Sequence, residues 1–370
     1  MITTKKRIYS DLNLFLGCIA GLLIIGLLFI YSSSSIFALE RFGSAHYFVK
    51  KQLFGVVLGL CCLIAARLVP IDLIKQYSPL LFLGSLILTA LTLLPFISMR
   101  IHGSSRWLNI AGFGFQPSEL LKISLILYLA HFLAKKKLST SSLLYSYLPF
   151  LCILGATAAV LLKQPDFGLT VTLAITAFTL LFIAQFKGKH LLVTLSALIP
   201  VTAALVLFKP YRFKRILTFL NPWDDPQGAG FQIIQSLIAI GSGNFVGVGI
   251  AHSKQKFFYL PMQHTDFIFS IIAEETGFLG SLLLIFLYCL FLYIGMRIAW
   301  QLTDAFATYT VLGFVIMTSL QSIINLAVAT GLVPTKGIGL PFVSYGLTSL
   351  VCNMMMIGLI INLVHNYRRS

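Results

Sequence analysis

Apolar runs of about twenty residues recur along the whole chain, and each is long enough to cross a hydrocarbon core of about 30 Å. They lie at about 12–33, 51–69, 78–97, 118–134, 146–163, 168–185, 190–208, 267–297, 306–331 and 343–364. About ten such spans, with no long polar segment between them, predict an all-α integral membrane protein made of one polytopic domain, 1–370. Composition agrees, because 58% of the residues are hydrophobic and 10% charged, against roughly a quarter charged in a soluble domain. The N-terminal MITTKKRIYSDLN before the first run imitates a signal peptide. That run is too long for an h-region and no A-x-A-like cleavage site follows, so a retained first helix is expected.

An even number of spans puts both termini on one side. Lys5–Lys6–Arg7, Arg67 with Lys75, Lys135–Lys136–Lys137, Lys187 with Lys189, Arg297 and Arg368–Arg369 then share that side. The positive-inside rule makes it cytoplasmic, with both termini inside. About half of the 27 Lys and Arg nevertheless fall on outer connections, where they oppose that rule. Such outward cations serve either anionic headgroups or a specific phosphate ligand. The net charge of +16 does not indicate nucleic acid, because the basic residues are scattered between spans rather than striped on one face. The six cysteines all sit in apolar runs without metal-ligand spacing, so neither a disulfide nor zinc is expected.

The outer connections are the longer and chemically richer ones. Residues 209–265, between the seventh and eighth spans, form a large extracytoplasmic loop. Helical patterns at 211–220 and 229–240 predict short helices on the membrane surface, with Trp223 at the bend. In QPSELLKI, Glu119 and Lys122 stand three apart on one helix face, either as a structural ion pair or with Lys122 orienting a phosphate. Asp166 reads as a helix cap that Lys163 could neutralise. In GLVPTKGIGLPFVSYG, prolines and glycines block regular helix before the last span, and Lys336 is either solvated or directed into a wet cavity. The pairs Gly17/Gly21 and Gly55/Gly59 read as helix-packing sites.

Three of the eleven Asp and Glu lie between positions 266 and 275. Asp266 follows a polar hinge (Pro261, Gln263, His264, Thr265) and opens the eighth span, where it is either an N-cap or a reactive carboxylate. Ser270 lies a turn below it. Glu274 is turned partly away and Glu275 wholly, so interhelix contacts are expected of both.

Together these strings resemble the SEDS family, the bacterial FtsW/RodA peptidoglycan glycosyltransferases. The resemblance runs through GSSRWLNI, QPSELLKI, QPDFG, NPWDDPQGAGFQIIQS, YLPMQHTDFIFSIIAEETG and VPTKGIGLPFVSYG. PTKG at Pro334–Gly337 and WDDP at Trp223–Pro226 are more similar to the division branch, FtsW, than to RodA. The resemblance implies polymerisation of lipid II, a disaccharide-pentapeptide on undecaprenyl pyrophosphate, with inversion and loss of the lipid pyrophosphate. It maps the family's essential aspartate onto Asp266 as general base. It asks for cations on the departing pyrophosphate, with Lys122, Arg106, Lys163, Arg212, Arg215, Lys254, Lys256 and Lys336 as candidates and Glu119 and Ser344 beside them. A divalent cation, Mg or Mn, could share the task. Expected partners are a class B penicillin-binding protein transpeptidase and other divisome membrane proteins. Two departures stand out: Met262 replaces the family's glutamate, and Leu347 replaces a glycine. A lipid II flippase and a non-catalytic scaffold for a transpeptidase are the competing readings.

Overall fold

The computed structural model describes residues 2–367 except 95, 97, 102–103, 111–112, 136–145, 208–209, 229 and 257–259. Among these residues the chain forms twelve α-helices and one small sheet. The helices are α1 (Ile2–Phe42), α2 (Tyr47–Leu68), α3 (Ile71–Leu91), α4 (Pro117–Leu133), α5 (Leu148–Lys163), α6 (Phe167–Ile183), α7 (Gly188–Leu207), α8 (Pro210–Leu220), α9 (Phe231–Ser242), α10 (Ile268–Trp300), α11 (Ala305–Ala329) and α12 (Leu347–Tyr367). Six of them, α1, α2, α3, α10, α11 and α12, are long and apolar enough to cross a membrane. The chain is a multi-pass membrane protein.

Helix α4 is buried on every side, with Leu121, Lys122, Leu125 and Ala130 each at 1% exposure or less. Its apolar residues run all round rather than along a stripe, as a helix enclosed by neighbours requires. It packs against α3, α11, α12 and α6, while α2 lies along α12 and α1 along α10. Gly59 and Gly358 allow the α2–α12 approach, since a Cβ on Gly358 would stand 2.3 Å from the carbonyl oxygen of Leu63. Gly55 faces Leu347 of α12. Gly17, in contrast, has nothing within 4 Å of an added Cβ and Gly21 only a loose contact, so that pair does not make a close helix contact.

The fold is mostly helical rather than all-α. Strands β1 (Ser98–Ile101), β2 (Ser104–Ile110) and β3 (Phe113–Phe115) form an antiparallel sheet in the order β1-β2-β3, with Met99 opposite Trp107 and Leu108 opposite Phe115. The strands carry the β-branched Ile101 and Ile110 and the aromatic Trp107, Phe113 and Phe115, residue types that favour extended backbone. Hydropathy alone registers this segment only as a loop.

The connection 209–265 contains α8, a 3-10 turn at Pro222–Asp224 carrying Trp223, and α9. Helix α10 is broken at Gly277, which has φ +67° and ψ −159°. The chain after α9 fills the break. The N–H groups of Val248 and Gly249 donate to the carbonyls of Glu274 and Glu275, and those of Phe278 and Leu279 donate to Asn244 and Phe245. Backbone groups released by a helix break in hydrocarbon must find such partners. Beside this splice, Glu274 accepts from Ser253 Oγ and the Lys254 N–H, while Glu275 accepts from Ser32 of α1 at 2.6 Å. Both acids are therefore structural contacts, and together they seat the loop before residue 257.

Candidate active site

Six separate parts of the chain converge on one cavity of about 570 Å³. Strand β2 brings Arg106 and Trp107, the start of α4 brings Glu119 and Lys122, and the α5–α6 turn brings Asp166. The segment before α10 brings Met262, Thr265 and Asp266, facing Lys336, Ser344 and Tyr345 from the α11–α12 connection, while Arg215 of α8 closes one side.

Asp266 does not cap α10. The N-cap position is Phe267 and no side chain caps the helix. Its carboxylate is left for the cavity, and an added Cβ on Gly337 would stand 3.4 Å from Oδ2, so the glycine of PTKG keeps the approach open. Burial raises the Asp266 carboxyl to about 6, against the opposing pull of Arg106. That value suits a base working near neutral pH. His264, two residues earlier, is packed among Phe48, Phe37 and Tyr345, and burial lowers it to about 4, so it is neutral. Ser270 points elsewhere: it is fully buried and bonds Ser236 of α9 at 2.6 Å.

Arg106 is pinned by the local backbone. Its Nε donates to the carbonyl of Gln164 at 3.2 Å and its Nη2 to that of Pro165 at 2.6 Å, while Nη1 lies 3.6 Å from Asp166. Asp166 caps α6 by accepting from the Leu169 N–H at 3.1 Å. Burial raises its carboxyl, and Arg106 opposes that shift. Arg106, not Lys163, is thus the counter-ion, and Lys163 is exposed outside the cavity. Lys122 is 1% exposed, lies 2.5 Å from Glu119 and donates to Gln321 at 3.3 Å. Lys336 extends over the Phe167 ring at 5.1 Å, and partial burial lowers its ammonium. Arg215 donates to the Thr335 carbonyl at 3.4 Å.

Ser344 lines the cavity, but its hydroxyl is occupied by the scaffold: it donates to the Thr265 carbonyl at 2.5 Å and accepts from the Leu340 N–H at 2.7 Å. Two other expected residues fall away from the cavity. Lys256 turns its ammonium to Glu275, 3.6 Å off, and to the Ala251 carbonyl; Lys254 is exposed and contributes its N–H to Glu274. The carboxylates of α10 draw this loop away from Asp266, a pull that acts across about twenty positions and leaves no local trace in the sequence. The side chain of Arg212 lies outside those described. Gln321 and Asn325 of α11 were missed by the sequence reading. Their signal was two amides one turn apart in an apolar span.

The donor set does not fit a protein-held divalent cation. Glu119 and Asp166 are each committed to a basic side chain, and position 262 is methionine. Among the described residues no three His, Cys, Asp or Glu side chains are grouped to hold a metal ion. The second departure, Leu347, is accommodated: an added Cβ on Gly55 would lie 3.3 Å from Leu347 Cδ1, so α2 leaves room for that side chain.

The profile of the FtsW/RodA/SpoVE family, described as a cell cycle protein, matches residues 12–369. This chain belongs to the FtsW/RodA/SpoVE family. A Geobacter sp. (strain M18) relative named probable peptidoglycan glycosyltransferase FtsW is 40% identical over 91% of this chain and 92% of its own length. The stage V sporulation protein E of Bacillus subtilis is 38% identical over 99% of this chain and 100% of its own. Among solved structures, a chain from work on the coordination of polymerization and crosslinking by a peptidoglycan synthase complex superposes with a TM-score of 0.80. It is 29% identical and covers 96% of this chain and 98% of its own. The Thermus thermophilus rod shape determining protein RodA gives a TM-score of 0.72 at 25% identity, over 96% of this chain and 97% of its own.

Proposed function

We propose that this chain is a peptidoglycan glycosyltransferase of the division branch, polymerising lipid II on the outer face of the bacterial cytoplasmic membrane. The observation that carries the reading is Asp266, a carboxylate with a raised pKa and no capping bond, set in a cavity whose lining includes Arg106, Lys122, Arg215 and Lys336. Relatives named peptidoglycan glycosyltransferase supply the reaction class.

In the reaction, Asp266 accepts the proton of the acceptor's 4-hydroxyl on GlcNAc as that oxygen attacks the anomeric carbon of the donor MurNAc. The new C–O bond forms on the face opposite the leaving group, the configuration inverts, and the bond to undecaprenyl pyrophosphate breaks with its electron pair. The cations of the lining stabilise the negative charge that builds on the pyrophosphate. The pair Glu119–Lys122 and the clamp on Arg106 hold these groups in place, which spares reorganisation during the step.

The chain crosses the membrane about ten times with both termini in the cytoplasm, the shorter apolar helices α5 and α6 completing the bundle with α4 and α7. Its partners are a single-pass class B penicillin-binding protein transpeptidase and other divisome membrane proteins. That assignment draws on the neighbour solved within a complex that couples polymerization to crosslinking. The test is purified protein, with its transpeptidase partner, supplied with lipid II. Glycan polymer from wild type and none from Asp266→Asn is the expected result. Polymer that persists in Asp266→Asn overturns the base assignment, and lipid II translocation without polymer moves the function to a flippase.

A further inference from the structure

We propose that the diphosphate of the lipid-linked donor is gripped at Asp266 by the side chains of Arg106 and Lys336, without a divalent cation held by the protein. This rests on the glycosyltransferase reading above, for which it names the anion-binding groups.

The first support is the arithmetic of carboxylates. A hard divalent cation at a phosphate site is bound through one or two carboxylates together with the phosphate oxygens. Three acids line the cavity. Glu119 lies 2.5 Å from Lys122 and Asp166 lies 3.6 Å from Arg106, so each already faces a basic group that a metal would have to displace. Asp266 remains, and it is also the group that must accept the acceptor's proton. Coordination to a metal would draw off the lone pair that this task needs. The neighbouring position that could add an acid holds Met262, whose φ of +57° belongs to the turn that delivers Asp266. One carboxylate cannot serve as base and as sole metal ligand in the same step.

The second support is the placement of the two cations. Arg106 is held rigid by two carbonyls and Asp166, yet a guanidinium carries five N–H donors. At least one on each terminal nitrogen remains free for a phosphate, in the planar geometry that suits bidentate binding. Its charge is also felt at Asp266. Lys336 lines the same cavity from the α11–α12 connection. Its ammonium stands over the ring of Phe167, the residue that follows Asp166 in the chain, and its own chain neighbour Gly337 borders the Asp266 carboxylate. Among the described residues Lys336 makes no ion pair. A lysine lowered by partial burial and lacking a carboxylate partner gains its missing counter-charge when a diphosphate arrives. The two side chains thus converge from β2 and from the α11–α12 connection on the space beside the base, where a leaving diphosphate must lie.

The test uses the full-length protein in detergent or nanodiscs, with inorganic pyrophosphate as the binding probe and lipid II as substrate. Calorimetry in EDTA is expected to show pyrophosphate binding to wild type, weakened by about tenfold or more in Lys336→Met and in Arg106→Lys, the latter keeping charge but losing the planar fork. Thermal melts of both variants, matched to wild type, separate lost contacts from lost folding. Polymerisation by wild type is expected to continue in EDTA at no less than about half its rate in Mg²⁺, because the side chains already supply the charge. Pyrophosphate binding seen only with Mg²⁺ or Mn²⁺, absent binding in either condition, or polymerisation abolished by EDTA and restored by metal each overturns the inference. If wild type forms no polymer in any buffer yet binds pyrophosphate in EDTA through Lys336, the glycosyltransferase reading fails and the anion site stands.

Discussion

The side-chain amide of Asn325 donates to the main-chain carbonyl of Asp266 at 2.8 Å, and the same nitrogen donates to the carbonyl of Ile338 at 2.7 Å. A single residue of α11 thereby fixes the backbone of the candidate base and that of the connection carrying Lys336 in one register. Asn325→Leu removes both bonds and leaves two carbonyls short of a partner, at a cost of about 1–3 kcal/mol each if they stay dry. The expected outcome is a fall of about tenfold or more in kcat, since small misplacements of catalytic groups are costly. KM for lipid II should change little and the pH midpoint should stay. Steady-state kinetics across pH distinguishes this from loss of the base itself.

The pH dependence of polymerisation should follow Asp266. The base must be ionised, so the rate rises as pH climbs through about 6 and levels off above it. Asp266→Asn should lower the rate by about 10²–10⁴-fold, the range of general-base catalysis. The stability effect runs the other way. A carboxyl whose pKa is raised on folding favours the folded state while protonated, and that contribution is lost as pH rises from the ordinary carboxylate range through about 6. At pH 8 Asp266→Asn should therefore melt no lower than wild type, and a lower melting temperature would mean that the carboxylate has a structural partner.

The Glu119–Lys122 pair should behave as a buried unit. Glu119→Gln or Lys122→Met alone leaves an unpaired group inside the bundle and should cost about 3–5 kcal/mol, whereas the double variant should recover most of that loss. Melting curves in detergent for all four proteins complete the cycle. Activity in the double variant should remain low, because the lining loses the Lys122 charge.

Gly277→Ala should break the splice in α10. An added Cβ would fall 2.4 Å from the Gly247 nitrogen and 2.7 Å from backbone atoms of Phe245 and Val246, at a residue with φ +67°. A left-handed non-glycine residue alone costs about 1–3 kcal/mol, and here rigid backbone rather than a flexible side chain must move. Poor yield of folded protein and faster proteolysis in the loop before α10 are the expected readouts.

Some of this was legible in the chain itself. Hydrophobic length is a local property, so the apolar runs at α1, α2, α3, α10, α11 and α12 declare membrane helices without reference to the rest of the molecule. The three-residue spacing of Glu119 and Lys122 is equally local and returns as an ion pair in the structure. The string around Asp266 singled out that carboxylate by family resemblance, although its helix-cap alternative could be dismissed only once α10 was seen to begin after it.

What tertiary structure decided was the allocation of charge. Basic side chains meet different fates: Lys256 is taken by Glu275, Arg106 is clamped beside Asp166, and Lys336 is left facing the cavity. The break at Gly277 depends likewise on partners supplied from another segment, residues 244–249. The reason is physical. Insertion into a bilayer depends on transfer energy summed along a segment, whereas an ion pair depends on two side chains reaching one place. The sequence alone therefore determined that this chain spans a membrane and which acid to suspect, and only the folded bundle determined which cations stand beside it.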